Sequence, residues 1–250
     1  MTHIISVINH KGGVGKTTST ANIAAGLQIL GKSALMIDLD PQANLTRHFG
    51  LPKTSERSIY DALTGVREMP TVELKNGAHI APSHQDMIGW EKIAADEPGR
   101  ELFLKNAINT LSYKYDYILI DCPPSLNLLP INALTASNGI IITVEPSLFS
   151  IEGMNNIFSA VEKVRSRINK NLIEYKILIT RFFSSKILHK NAEEIIRRNY
   201  NEKVFKTVIR TSVALEEAVM NSVDVFAYDS KSNGAKDYMK VCQEIVNSNQ

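Results

Sequence analysis

The stretch Ile4-Ile5-Ser6-Val7-Ile8-Asn9-His10-Lys11-Gly12-Gly13-Val14-Gly15-Lys16-Thr17-Thr18 passes from an apolar segment through a glycine loop into a helix-forming run that continues to Leu30 and stops at Gly31. Glycines at 12, 13 and 15 let the backbone curl so that successive N–H groups point inward at phosphate oxygens, and the helix N-terminus adds partial positive charge. Lys16 adds a full charge within reach of β- and γ-phosphates, and Thr17 offers a hydroxyl where such loops hold Mg²⁺. The ending Gly15-Lys16-Thr17 fits the pattern G-x-x-x-x-G-K-[ST], but His10 stands where its first glycine belongs. The segment reads as a deviant loop for a nucleoside triphosphate.

Further short β-branched runs lie at Ala34 to Ile37, Tyr117 to Ile120, Gly139 to Val144 and Lys176 to Thr180, and read as buried strands. Between them stand segments of helical period. The clearest carries Ile151, Met154, Ile157, Phe158, Val161, Val164 and Ile168 on one side and Glu152, Asn155, Glu162, Lys163, Arg165 and Arg167 on the other. Strands alternating with helices predict an α/β fold: a mainly parallel twisted sheet with helices on both faces, ligands binding at the carboxyl ends of strands. The region from Pro52 to Pro82 shows no clear element.

The 250 residues are 44% hydrophobic and 22% charged, usual for a folded domain. That length suits one P-loop domain over 1–250. The longest apolar runs fall far short of the roughly 18 residues of a membrane span, and no leader precedes the first strand, so a cytoplasmic protein is expected. Cys122 and Cys242 stand far apart, without the spacing of a disulfide framework or zinc site.

Two further places carry acid chemistry. Asp121 ends the run from Tyr117, so its carboxylate emerges at a strand's carboxyl end, suited to holding Mg²⁺. Asp38 and Asp40 follow Ile37 in the same manner; Asp38 suits a helix cap or turn equally well.

Lys11 to Thr18 resembles the deviant Walker A loop of the ParA, Soj and MinD group of P-loop ATPases. Asp38-Leu39-Asp40-Pro41-Gln42 resembles its switch I, Tyr117 to Ser125 its Walker B strand entering switch II, and Ala81-Pro82-Ser83 also fits. Likeness to the Soj type continues through Asn132-Ala133-Leu134, Glu152-Gly153 and Val204 to Arg210. The resemblance implies ATP and Mg²⁺ as ligands, with Gly12, Gly13, Val14, Gly15, Lys16, Thr17 and Thr18 around the nucleotide, and Thr17, Asp40 and Asp121 about the metal. It gives Asp40 the positioning of the attacking water, and has Lys11 reach across an ATP-bound homodimer to the partner's nucleotide. Lys11, Lys16 and Asp40 are therefore the candidate catalytic residues.

The chain's net charge is only +2, yet residues 181–210 hold eight basic side chains against three acidic ones. This positive stretch suits a phosphate backbone, although Lys190 with Glu194, Glu193 with Arg197 and Glu194 with Arg198 are spaced to pair along a helix. In Soj-like proteins the region binds DNA without sequence preference, so Lys186, Lys190, Arg197, Arg198 and Arg210 are the candidate DNA contacts. The sequence departs from the group's pattern at His10, at Glu145-Pro146-Ser147, and at Ala214, where many members carry a second arginine. The resemblance implies a nucleoid-associated partition ATPase, with slow hydrolysis stimulated by a ParB-like protein to segregate plasmid or chromosomal DNA. A relative that positions a protein cluster, or a MinD-like spatial regulator, is the alternative. The loop begins too early to leave room for the N-terminal helix-turn-helix of larger plasmid members. The tail from Lys240 shows little apolar face, which disfavours the membrane helix of MinD-like members.

Overall fold

The computed structural model describes residues 2–54 and 57–248, without the side chains of 148–152. The runs rich in Ile, Val and Leu form β1 (His3–Ile8), β2 (Ala34–Asp38), β5 (Tyr117–Asp121), β6 (Gly139–Val144) and β7 (Glu174–Ile179), joined by the short β3 (Val72–Glu73) and β4 (His79–Ala81). The sheet order is β3-β4-β2-β5-β1-β6-β7, and every pairing is parallel except β3 with β4. The helices are α1 (Lys16–Ile29), α2 (Asn44–His48), α3 (Ile59–Leu63), α4 (Met87–Ile93), α5 (Phe103–Asn109), α6 (Leu128–Ala136), α7 (Leu148–Arg167), α8 (Ile187–Tyr200), α9 (Val213–Met220), α10 (Val225–Asp229) and α11 (Asn233–Ser248).

Because successive strand residues point to opposite faces, the sheet supports two cores. Ile118 and Ile120 pack with Ile37, Ile142 and the inner sides of α5, α6 and α7, while Tyr117 and Leu119 pack with Val7, Met36, α1 and α11. The α/β architecture with helices on both faces is as expected. Strand β7 starts two residues earlier than its apolar run, at Glu174, because pairing with β6 continues to Gly139. Met154, Ile157, Val161 and Val164 form the buried stripe of α7, Phe158 flanks it, and Ile151 lies outside the described side chains. Ile168 falls past the end of α7 and is 37% exposed, so it does not belong to the stripe.

The region from Pro52 to Pro82 does hold structure. It contains α3, capped by Ser58 and Asp61, and β4, which lengthens the sheet beside β2. The tail reading is also corrected: in α11 Tyr238, Val241, Cys242 and Ile245 make an apolar face, and α1 covers it. Among the described residues no helix is long and apolar enough to cross a membrane.

The seam between α1 and α11 depends on Gly26. A Cβ there would stand 2.5 Å from Cys242 Sγ and 3.3 Å from the Phe226 ring. Gly26→Ala is therefore expected to lower stability by about 1–3 kcal/mol through overpacking, despite the better helix propensity of alanine. Thermal unfolding checks this, and Cys242→Ala in the same chain should restore most of the loss.

Candidate nucleotide-binding site

The loop after β1 is shaped by left-handed glycines, Gly13 at φ 75° and Gly15 at φ 79°, conformations that a side chain would strain. Its base is pinned on both sides. The Asn9 amide donates to Thr143 O on β6 at 2.6 Å and its Oδ1 accepts from Lys11 N at 2.9 Å; Thr180 Oγ1 donates to Val14 O at 2.9 Å. Lys16 folds back over the loop, its Nζ donating to Lys11 O at 3.1 Å, and burial lowers its pKa. Lys11 itself is exposed.

Three carboxylates converge here because β1, β2 and β5 end together, with Asp38 in register with Asp121 and Asp121 with Val7. Thr17 Oγ1 donates to Asp121 Oδ2 at 2.7 Å, whereas the fully buried Oδ1 has no hydrogen-bond partner among the described residues. Burial first, and the neighbouring Asp38 next, raise the Asp121 pKa well above the usual carboxylate range. An orphaned buried carboxylate oxygen beside a threonine hydroxyl and a lysine suits a hard, oxygen-loving cation, so these residues fit Mg²⁺ with its bound phosphates.

Asp38 and Asp40 divide the remaining work. Thr46 N and Thr46 Oγ1 both donate to Asp38 Oδ2, at 2.8 and 2.7 Å, and Asp40 N reaches Oδ1 at 3.2 Å. Burial nonetheless pushes the Asp38 pKa up to about 7. Of the two sequence readings for Asp38, the structure favours the turn residue: its carboxylate brackets the segment leading into α2. Asp40 lines the cavity beside the glycine loop, its Oδ1 accepting from Gln42 N at 2.9 Å while Ser83 Oγ donates to its carbonyl at 2.7 Å. Ser83 N in turn donates to Thr46 Oγ1 at 2.9 Å, which ties the end of Ala81-Pro82-Ser83, just past β4, to α2.

The cavity holds about 590 Å³ and runs from Gly12, Gly13, Gly15, Lys16, Thr17 and Thr18 past Asp40 and Pro124 to a wall made by Thr180, Arg181, Ile209, Leu215 and Tyr238. That second wall was missed in the sequence. Arg181 has φ 52° and donates to Gly13 O at 3.4 Å, a tie visible only when β7 is set beside the loop.

The AAA domain family matches residues 2–174. Over 98% of this chain and 99% of its own length, the sporulation initiation inhibitor protein Soj of Bacillus subtilis is 36% identical. The chromosome-partitioning ATPase Soj of Treponema pallidum is 35% identical over 96% of this chain and 95% of its own. Among solved structures, cobyrinic acid a,c-diamide synthase from Mycobacterium smegmatis, crystallised with an ATP analogue and magnesium, superposes with a TM-score of 0.87 at 28% identity, covering 99% of this chain and 95% of that one. The chain belongs to the ParA/Soj family of P-loop ATPases.

Within this ParA/Soj fold the five candidate DNA contacts separate. Lys186, Lys190 and Arg198 are exposed on or beside α8, Lys186 Nζ lying 4.1 Å from the Phe183 ring. Arg197 is instead half-buried and bonded to the chain itself. Its guanidinium pairs with Glu193 at 2.8 Å and donates to Phe205 O and Lys206 O; among the described residues this is the one helix-spaced ion pair of the three that forms. Arg210 is clamped to Asp237 at 2.7 and 2.9 Å and lines the nucleotide cavity. Both guanidinium groups are thus engaged by carboxylates and carbonyls of the chain itself.

The switch I bracket makes a prediction. Thr46→Val removes one donor to Asp38 and leaves the buried Ser83 N–H unpaired, at an expected cost of about 1–3 kcal/mol. Denaturant unfolding of the purified variant reads that loss, while Thr46→Ser should retain most of the stability.

Proposed function

We propose that the chain is a partition ATPase. ATP and Mg²⁺ bind in the loop, two subunits associate on the bound ATP, the dimer binds DNA without sequence preference, and slow hydrolysis is stimulated by a ParB-like partner, placing the protein in the cytoplasm on the nucleoid. The observation that carries the nucleotide part is the convergence of Lys16, Thr17, Asp40 and the half-satisfied Asp121 at one end of the glycine loop. The relatives named above support the partition role, because one is itself a chromosome-partitioning ATPase of matching length.

Phosphoryl transfer demands charge neutralisation and an in-line nucleophile more than covalent help. Mg²⁺, when bound, supplies the largest neutralising charge at the β- and γ-phosphates. Thr17 and Asp121 would hold it, with Asp40 beside them. The loop N–H groups and Lys16 bind and orient the phosphate oxygens, and the lowered pKa of Lys16 reflects burial that a bound polyanion offsets. Asp40 orients the attacking water. Lys11, exposed on the loop's outer side, is free to reach a nucleotide held by a second subunit, which would link ATP binding to dimerisation.

Lys16→Ala should abolish nucleotide binding, Lys11→Ala should impair dimerisation, and Asp40→Ala should leave an ATP-bound dimer that hydrolyses poorly. Light scattering with ATP or ADP, together with phosphate release, checks all three; an Asp40→Ala protein that still hydrolyses at the parent rate removes the role given to Asp40.

DNA binding has its own test. Phosphate contacts release counterions, so replacing one of Lys186, Lys190 or Arg198 by alanine should reduce the salt slope for random-sequence DNA by about 1 each without lowering thermal stability. Arg197→Ala should do the reverse, lowering the melting temperature with less change in the salt slope.

A further inference from the structure

Three arginines line the nucleotide cavity, and two are spent on the protein: Arg181 on Gly13 O and Arg210 on Asp237. The third is Arg47, on α2, the helix that continues from the switch I segment and is tied to it by the Thr46 bonds to Asp38, and among the described residues its guanidinium has no hydrogen bond or ion pair. Its backbone is nevertheless well fixed. Thr46, one residue before, is buried and bonded twice to Asp38; His48, one residue after, is buried with Nε2 3.0 Å from Val223 O. With 46 and 48 both turned inward, residue 47 turns to the cavity.

We propose that Arg47 is a phosphate-binding residue of the nucleotide site, a cation delivered by switch I to the polyphosphate of ATP and ADP. The inference rests on the nucleotide reading of the glycine loop. A guanidinium with five donors and no partner, held at the wall of a cavity whose floor is a phosphate loop, is matched to phosphate oxygens. It also gives switch I a direct hold on the ligand besides Asp40, so that the position of α2 and the presence of nucleotide become linked. The competing partner is Glu216, a carboxylate on α9 that lines the same cavity and could take Arg47 as a counter-ion.

Titration calorimetry of the full chain with Mg-ADP tests this, using Arg47→Ala, Arg47→Lys and Glu216→Ala. One charge-assisted contact predicts an affinity about tenfold weaker in Arg47→Ala, partly recovered in Arg47→Lys. Adenosine, which lacks phosphates, should bind Arg47→Ala and the parent alike. Glu216→Ala should bind Mg-ADP as well as the parent or better, since a negative charge leaves the cavity. The proposal is overturned if Arg47→Ala binds Mg-ADP within twofold of the parent, or if Arg47→Ala and Glu216→Ala weaken it equally. Lys16→Ala separates this failure from the larger one: if the parent binds Mg-ADP and Lys16→Ala does not, the nucleotide site stands whatever Arg47 does. Melting temperatures without nucleotide should agree between Arg47→Ala and the parent, because the side chain contributes no bond to the fold.

Discussion

The site depends on a cost that the sheet imposes. Ending β1, β2 and β5 together brings Asp38, Asp40 and Asp121 into one largely desolvated place, with Asp38 directly opposite Asp121. Like charges so placed disfavour one another, and burial disfavours both, which is why each of these two carboxyls titrates above its usual range. Four donors offset part of the cost: two from Thr46 and one from Asp40 on Asp38, and the Thr17 hydroxyl on Asp121. What remains uncompensated is Asp121 Oδ1. A divalent cation with phosphate attached is the kind of ligand that discharges such a remainder, so the same strain that weakens the unliganded site strengthens its affinity.

That constraint explains the roles of the two switch I carboxylates better than their spacing does. Asp38 is committed to backbone and hydroxyl donors of the segment it opens, and Asp40 keeps its carboxylate at the cavity. Thr46 is the shared corner, giving to Asp38 and receiving from Ser83 N after β4. A change at the phosphates felt by Asp40 is therefore felt also by α2 and by the strand end that carries Ser83.

How much of this was legible in the sequence follows from the range of each interaction. The glycine loop and its strand and helix are local, so left-handed glycines, Lys16 and Thr17 could be read from adjacent residues, and the alternation of apolar runs with helical stripes gave both faces of the sheet. Strand β4 escaped because three residues carry no period, and its strand character comes from pairing with β2. The partners of Arg197 and Arg210 were hidden for the same reason: the Phe205 and Lys206 carbonyls and Asp237 are brought to them by packing rather than by helical spacing. The far wall of the cavity was equally hidden, since Thr180, Ile209, Leu215 and Tyr238 meet only after β7, α9 and α11 are in place. The separate roles proposed for Asp40 and Lys11 rest on the family resemblance, since spacing alone does not distinguish them.

The engagement of Arg197 and Arg210 also bears on where a DNA surface can lie. With those two groups bound to other parts of the chain, Lys186, Lys190 and Arg198 remain exposed near and along α8, whose other side is held by Ala192 and Ile196 against the core. Lysines on flexible stems suit a backbone of evenly spaced charges, where position matters less than number. Such a face would bind DNA weakly from one subunit alone. If two subunits associate on ATP as proposed, the charge presented would double and, through effective concentration, affinity would rise far more than twofold. On that proposal nucleotide state would control DNA binding without any rearrangement of α8 itself: the switch would act on how many such faces are held together.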